Sequence, residues 1–281
     1  MTPADPILAA ARAIRDADAL LITAGAGMGV DSGLPDFRGP EGFWRAYPPY
    51  RALGLSFADL ACPDTFRRDP ALAWGFYGHR LNLYRTTVPH VGFGVLRKWA
   101  GRTAHGHFVF TSNVDGQFER AGFDAERIEE CHGTIHYMQC ASVCCEEIWP
   151  ADNVTITIDE STMRAVDPLP TCPHCGGLAR PNILMFGDGA WIETRTGEQA
   201  ERLQAWLMDL RDARAKIAIV ECGAGTAIPT VRYHSEHVAL QLRGTLIRIN
   251  VREPHGPPGT ISIATGAREA LERIDAVLTS E

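Results

Sequence analysis

Three groups of residues in this chain have types and spacings suited to chemistry. Cys172-Pro173-His174-Cys175 sets two thiols two residues apart, ahead of Gly176-Gly177, which is half of a tetrahedral thiolate site. Its other half lies in Cys140-Ala141-Ser142-Val143-Cys144-Cys145, where Cys140 is joined by Cys144 across three residues or by Cys145 across four. The shorter loop is nearer to a normal knuckle, so Cys140, Cys144, Cys172 and Cys175 are the expected ligands, with Cys145 the alternative to Cys144. A closed thiolate site has no open position for water, and a Zn2+ held there stabilises a small module rather than doing chemistry. His132, followed by Gly133, is a candidate general base, because imidazole has a pKa near working pH; a histidine at a loop start also serves simply as a backbone anchor. Gly25-Ala26-Gly27 follows the apolar run Ala19-Leu20-Leu21-Ile22, and closely spaced glycines there let the backbone approach a pyrophosphate. Asp36, Phe37 and Arg38 add an acid, an aromatic ring and a guanidinium within a few residues, which is more polar chemistry than a turn requires.

These groups need elements to position them. Ala19–Ile22, His107–Thr111, Lys216–Val220 and Thr245–Asn250 read as buried strands, and Ala179–Asp188 as a further apolar strand. Residues 7–19, 64–86 and 266–278 have helical spacing, with Pro70 suited to a first turn. Residues 40–50 are rich in aromatics and proline, and read either as an irregular loop over a site or as an aromatic patch on the core. Alternating strands and helices imply a doubly wound α/β sheet, in which side chains just past the carboxyl ends of strands face one crevice. Ser112, Asn113 and Asp115 stand in that position after the second strand. On a helix Tyr77 and Arg80 share a face, and their hydroxyl and guanidinium suit a carboxylate or phosphate.

The 281 residues can bury a large core, with 45% hydrophobic and 22% charged residues. The net charge of −7 argues against broad attraction to nucleic acid or anionic membrane. No run is long enough to span a membrane, and the start lacks a basic signal region, so the expected location is cytoplasmic. The 8 cysteines are too few for a disulfide scaffold of this size, and their clustering in a reducing compartment points to metal.

Several of these stretches together resemble the sirtuins, NAD-consuming protein deacylases. Gly25-Ala26-Gly27 running into Ser32-Gly33-Leu34-Pro35-Asp36-Phe37-Arg38 is similar to their first signature. Thr111-Ser112-Asn113-Val114-Asp115 is similar to Thr-Gln-Asn-Ile-Asp, with Ser112 in place of Gln and Gln117-Phe118 in place of the following Leu-His. His132-Gly133 matches the histidine base and its glycine, and Arg180 through Asp188 resembles Arg-Pro-x-apolar-Phe-Gly-Glu, with Asp188 for Glu. Gly223 and Asn250 match in position the residues that hold the adenosine half of NAD, with Gly225 and Thr226 as weaker matches.

The resemblance implies a Rossmann-like NAD-binding domain from 1–39, 91–133 and 186–281. It is interrupted by a helical insertion and cofactor loop at 40–90 and a zinc-binding module at 134–185. It implies NAD as co-substrate, structural Zn2+, and an acyl-lysine protein or peptide as partner. The acyl oxygen attacks the ribose carbon, and the histidine promotes attack by a ribose hydroxyl, giving nicotinamide, free lysine and acyl-ADP-ribose. It assigns His132 and Asn113 to catalysis and Gly25, Ala26, Gly27, Asp36, Phe37, Arg38, Ser112, Asn113, Asp115, Gly223 and Asn250 to NAD. Leu184, Phe186 and Gly187 fall to the substrate peptide, which pairs with that strand by backbone hydrogen bonds. Tyr77 and Arg80 resemble the Tyr-x-x-Arg pair of sirtuins that remove succinyl and malonyl groups, which implies a preference for anionic acyl chains. The departures at Ser112, Gln117-Phe118 and Asp188 leave ADP-ribosyl transfer to an acceptor other than acyl-lysine as the alternative, with NAD hydrolysis and NAD sensing behind it.

Overall fold

The computed structural model describes residues 5–35 and 39–280. Six parallel strands form the main sheet: β1 (Ala19–Ala24), β2 (His107–Thr111), β3 (Ile128–Glu130), and later in the chain β9 (Ile217–Cys222), β10 (Thr245–Ile249) and β11 (Ile261–Ile263). Their order is β11-β10-β9-β1-β2-β3, so the chain starts in the middle, builds outward to one edge and returns to build the other. β1 and β9 are buried along their whole length, as an apolar strand covered on both faces must be. Helices Pro6–Arg15, Val91–Ala100 and Ala267–Ser280 pack on one face through Ile7, Ile14, Phe93, Leu96, Leu271 and Ile274. Helices Thr194–Ala213 and Thr230–Leu242 cover the other through Leu203, Leu207, Leu210, Val231 and Val238. The fold is α/β and doubly wound, and the order reverses at β1, where a ligand crevice opens past the strand ends.

Between β3 and β9 the chain makes two small antiparallel sheets. One has the order β5-β4-β8, from β4 (Gly133–Cys140), β5 (Ile148–Pro150) and β8 (Ala179–Ile183); the other pairs β6 (Thr157–Asp159) with β7 (Arg164–Val166). They share a second core with the helices of residues 39–86, built from Phe43, Tyr47, Tyr50, Trp74, Phe76, Ile135 and Met138 among others.

One reading left open by the sequence is decided and two are corrected. Of the two readings left open for residues 40–50, the aromatic patch on the core is the one found: residues 39–52 form helices Gly39–Ala46 and Pro48–Ala52, and Phe43 lies stacked 6.0 Å from Tyr50 within the second core. The stretch 64–86 is two helices, Pro63–Arg68 and Pro70–Thr86. They break at Asp69, whose carboxylate accepts from Leu72 N at 3.2 Å and caps the second helix, with Pro70 in its first turn. β8 ends at Ile183, because Asp188 folds the chain back. Its carboxylate accepts from Met185 N (3.3 Å) and Ala190 N (3.1 Å) and pairs with both terminal nitrogens of the buried Arg180 at 2.7 and 3.0 Å.

Candidate active site

The loops after β1, β2 and β9 meet over the switch point and line one cleft of about 750 Å³ with residues from the second core. Backbone contact makes the floor. Gly25 N donates to Cys222 O, and Gly27 N donates to Gly223 O, both at 3.0 Å. Gly223 has φ +66°, and a Cβ there would lie 2.4 Å from Gly27 C and Met28 N; only glycine fits both the conformation and the approach. Asn113 is fixed to the same floor, its Nδ2 donating to Gly25 O at 3.0 Å while Thr111 Oγ1 accepts from its N–H.

Asp115 lies deeper. Its carboxylate accepts from Gln117 N at 3.0 Å, and His136 Nε2 holds the Asp115 carbonyl at 3.0 Å, which gives His136 a structural part. Burial pushes the Asp115 carboxyl up to about 6, against the pull of its hydrogen bonds and of the Arg80 guanidinium. Gln117 and Phe118 turn away from the cleft: Gln117 Nε2 reaches Thr87 O at 3.4 Å, and Phe118 packs edge-on to Phe93 at 5.0 Å.

His132 sits at the corner between β3 and β4. Gly133 behind it has φ +72°, and a Cβ there would be 2.2 Å from Asn182 O, so the corner that aims the histidine needs glycine. The His132 carbonyl accepts from Leu184 N at 3.0 Å. Burial lowers the imidazole pKa below its ordinary 6.5, leaving a neutral ring that can accept a proton at neutral pH. Behind the corner, Glu130 is buried; burial pushes its carboxyl up to about 7, against Arg195, whose Nη1 lies 2.7 Å from Oε2.

The opposite wall comes from helix Pro70–Thr86. Tyr77, Arg80 and Tyr84 all line the cleft and are all buried. Arg80 Nε donates to Tyr84 OH at 2.9 Å, and its guanidinium carbon lies 5.1 to 6.0 Å from the ring centroids of Phe76, Tyr84, Tyr77 and Phe57. Burial raises the Tyr77 and Tyr84 phenols, which therefore stay protonated at neutral pH.

Of the residues expected at the site, Gly25, Ala26, Ser112, Asn113, Asp115, His132, Tyr77, Arg80, Leu184, Phe186 and Gly223 line the cleft together, joined by Gly225 and Thr226. Gly27, Gly187 and Asn250 are not in its lining. Gly27 acts through its bond to Gly223, and Gly187 makes the φ +66° turn before Asp188. Asn250 is buried, donating to Ala224 O at 2.7 Å and accepting from Arg252 N and Glu253 N. Asp36, Phe37 and Arg38 lie outside the described residues. Phe57, Ala61, Tyr84, Ile228, Arg252 and Glu253 also line the cleft and were not anticipated. For Tyr84 the signal was present, since it follows Arg80 by four on a helix.

Away from the cleft, one sulfur each from Cys140, Cys144, Cys172 and Cys175 come within 4.8 Å of one another. Cys140 and Cys175 are 3.8 Å apart and Cys144 and Cys172 3.6 Å, close to the spacing of about 3.8 Å that tetrahedral Zn–S bonds of about 2.3 Å require. Cys172 N–Gly177 O (2.7 Å) and Gly176 N–Cys172 O (2.9 Å) close the knuckle.

The Sir2 family model matches residues 25–206. The NAD-dependent protein deacylase 2 of Pyrobaculum aerophilum is 30% identical over 257 residues, covering 90% of this chain and 88% of that protein. The mitochondrial NAD-dependent protein deacylase sirtuin-5 of Danio rerio is 34% identical over 185 residues, 60% of this chain; the match spans only 57% of that relative's length. A crystal structure of a Sir2 homolog–NAD complex has the same fold, with a TM-score of 0.69 at 24% identity over 99% of this chain and 95% of that one. With the family model matched across most of its length and a relative matched nearly end to end, this chain belongs to the Sir2 family.

Proposed function

We propose that this chain is an NAD-dependent protein-lysine deacylase that prefers anionic acyl groups. The observation that carries the reading is the convergence of a glycine-built backbone floor, a neutral His132 and the Tyr77–Arg80 pair on one cleft. Gly25 and Gly223, whose loops approach too closely for a Cβ at either, line the cleft past the strand ends at the switch point, which is where a doubly wound sheet takes a dinucleotide. NAD supplies a ribose–nicotinamide bond already activated by its cationic leaving group. Asn113, held by Gly25 O, orients a ribose hydroxyl or an ordered water, and Asp115 accepts from the carboxamide. His132 takes the hydroxyl proton on an imidazole nitrogen. The walls exclude water from the reacting centre. Leu184 and Phe186, exposed beyond β8, offer their side chains to the peptide; their own N–H groups are already given to His132 O and Ala61 O, so the backbone pairing expected from the sequence does not run through these two donors. Tyr77 and Arg80 bind the acyl carboxylate.

The four clustered thiols would hold Zn2+ as a structural ion for the β5-β4-β8 module. A cluster of thiolate ligands suits a reducing compartment, and on that ground a cytoplasmic location is part of the proposal. No helix among the described residues is long and apolar enough to cross a membrane. Incubation with NAD and peptides bearing succinyl-, malonyl- and acetyl-lysine, followed by mass spectrometry, tests the function. Acyl-ADP-ribose should form, fastest from the anionic substrates. NAD consumption with ADP-ribose on another acceptor and no deacylated lysine would replace this reading by ADP-ribosyl transfer. Purified protein should carry about one zinc per chain, lost with the fold in Cys172→Ser and retained in Cys145→Ser; the reverse pattern would show that the ligand set is wrong.

A further inference from the structure

Helix Pro70–Thr86 carries a third polar ring on the face that bears Tyr77 and Arg80. Tyr84 follows Arg80 by one turn, is only 4% exposed, and lines the cleft beside it. Its hydroxyl accepts from Arg80 Nε at 2.9 Å, and its ring lies 5.3 Å from the guanidinium carbon. A phenol accepts and donates at once; with Arg80 at its lone pair its own proton is left to donate, and Tyr84 lines the cleft. The phenol is held protonated by burial, so it keeps that proton at neutral pH.

We propose that Tyr84 is a specificity-determining residue of the acyl pocket. It holds Arg80 by Nε, so that an acyl carboxylate is met end-on by the terminal guanidinium nitrogens, and it adds a second phenol donor beside Tyr77. This rests on the reading of the cleft as a deacylase site that takes anionic acyl groups. Two effects act together. A guanidinium already hydrogen-bonded has less freedom to lose on binding, and an added hydrogen bond to a charged group is among the stronger ones. Both act on anionic acyl groups and neither on acetyl, which has no charge to read.

The test compares kcat/KM of wild type, Tyr84→Phe and Arg80→Met on succinyl-, malonyl- and acetyl-lysine peptides at saturating NAD. The anionic-to-acetyl ratio should fall about tenfold in Tyr84→Phe, through KM rather than kcat, and further in Arg80→Met. A ratio kept in Tyr84→Phe but lost in Arg80→Met overturns the role of Tyr84 and leaves the anionic reading standing. Equal losses on acetyl and anionic peptides in Tyr84→Phe overturn it too, since a general packing defect has no charge preference. A wild type that prefers acetyl-lysine overturns both. If Tyr84→Phe fails to fold, Tyr84→Met, which also lacks the hydroxyl, is judged by the same criteria.

Discussion

The two walls of the cleft are made of different material. Toward the parallel sheet the wall is largely backbone: Gly25, Gly27 and Gly223 interlock through main-chain hydrogen bonds, and Asn113 is fastened to a carbonyl. Toward helix Pro70–Thr86 it is side chain: Tyr77, Arg80 and Tyr84, seated among the rings of Phe57 and Phe76. A backbone wall tolerates no added atoms but depends little on which side chains stand nearby. A side-chain wall can be re-specified by one substitution. On this reading the first wall decides whether the enzyme turns over at all, and the second decides on what.

The largest expected effect belongs to the corner where the two walls meet. His132→Ala should lower kcat by about 10²- to 10⁴-fold, the usual worth of a positioned general base, while NAD affinity by calorimetric titration stays near wild type because the floor is intact. Deacylation at close to the wild-type rate would remove His132 from the mechanism. Gly223→Ala attacks the backbone wall itself. Its positive φ and a Cβ 2.4 Å from the facing main chain should together destabilise the protein by about 3 kcal/mol and weaken NAD binding. Unfolding and NAD titration curves that overlay those of wild type would show that the interlock is not needed.

The same contrast explains what was legible in the sequence. Gly25, Gly223, Asn113 and His132-Gly133 leave local marks, because a backbone that must approach a ligand or turn left-handed restricts the residue type at that very position. Parallel strands such as Ala19–Ala24 and His107–Thr111 announce themselves as apolar runs. The side-chain wall leaves a fainter mark. Helical spacing puts Tyr77, Arg80 and Tyr84 on one face, but it does not say what that face meets, and Phe57, Arg252 and Glu253 reach the cleft only because distant elements converge there. Residues 40–50 allow two readings for a related reason: their prolines suit a loop, yet Pro48 opens a helix, and what decides for the core patch is the packing of Phe43, Tyr47 and Tyr50 against Phe76 from a later helix.

The smallest expected effect is the one that shows whether the walls communicate. Burial raises Asp115 to about 6, and Arg80 on the opposite wall works in the other direction, favouring the carboxylate. Above about pH 6 Asp115 is ionised and can accept from the carboxamide of NAD in a charge-assisted bond; below it the group protonates and only a weaker neutral acceptor remains. KM for NAD should therefore rise as pH falls from 7 to 5, by about tenfold if the charged form alone binds well. The acid loss of kcat should come below the ordinary histidine range, because burial depresses His132 and keeps it a base further into acid. Removing the guanidinium with Arg80→Met takes away a stabiliser of the carboxylate, so the Asp115 pKa should climb and the KM limb should move to higher pH. Asp115→Asn should flatten that limb altogether. If the limb stays in place when Arg80 is replaced, the walls are electrically independent, and the acyl side tunes nothing but the acyl group. If it moves, an anionic acyl chain that neutralises Arg80 will move it in the same direction, and NAD binding at mildly acid pH will depend on which lysine modification occupies the pocket.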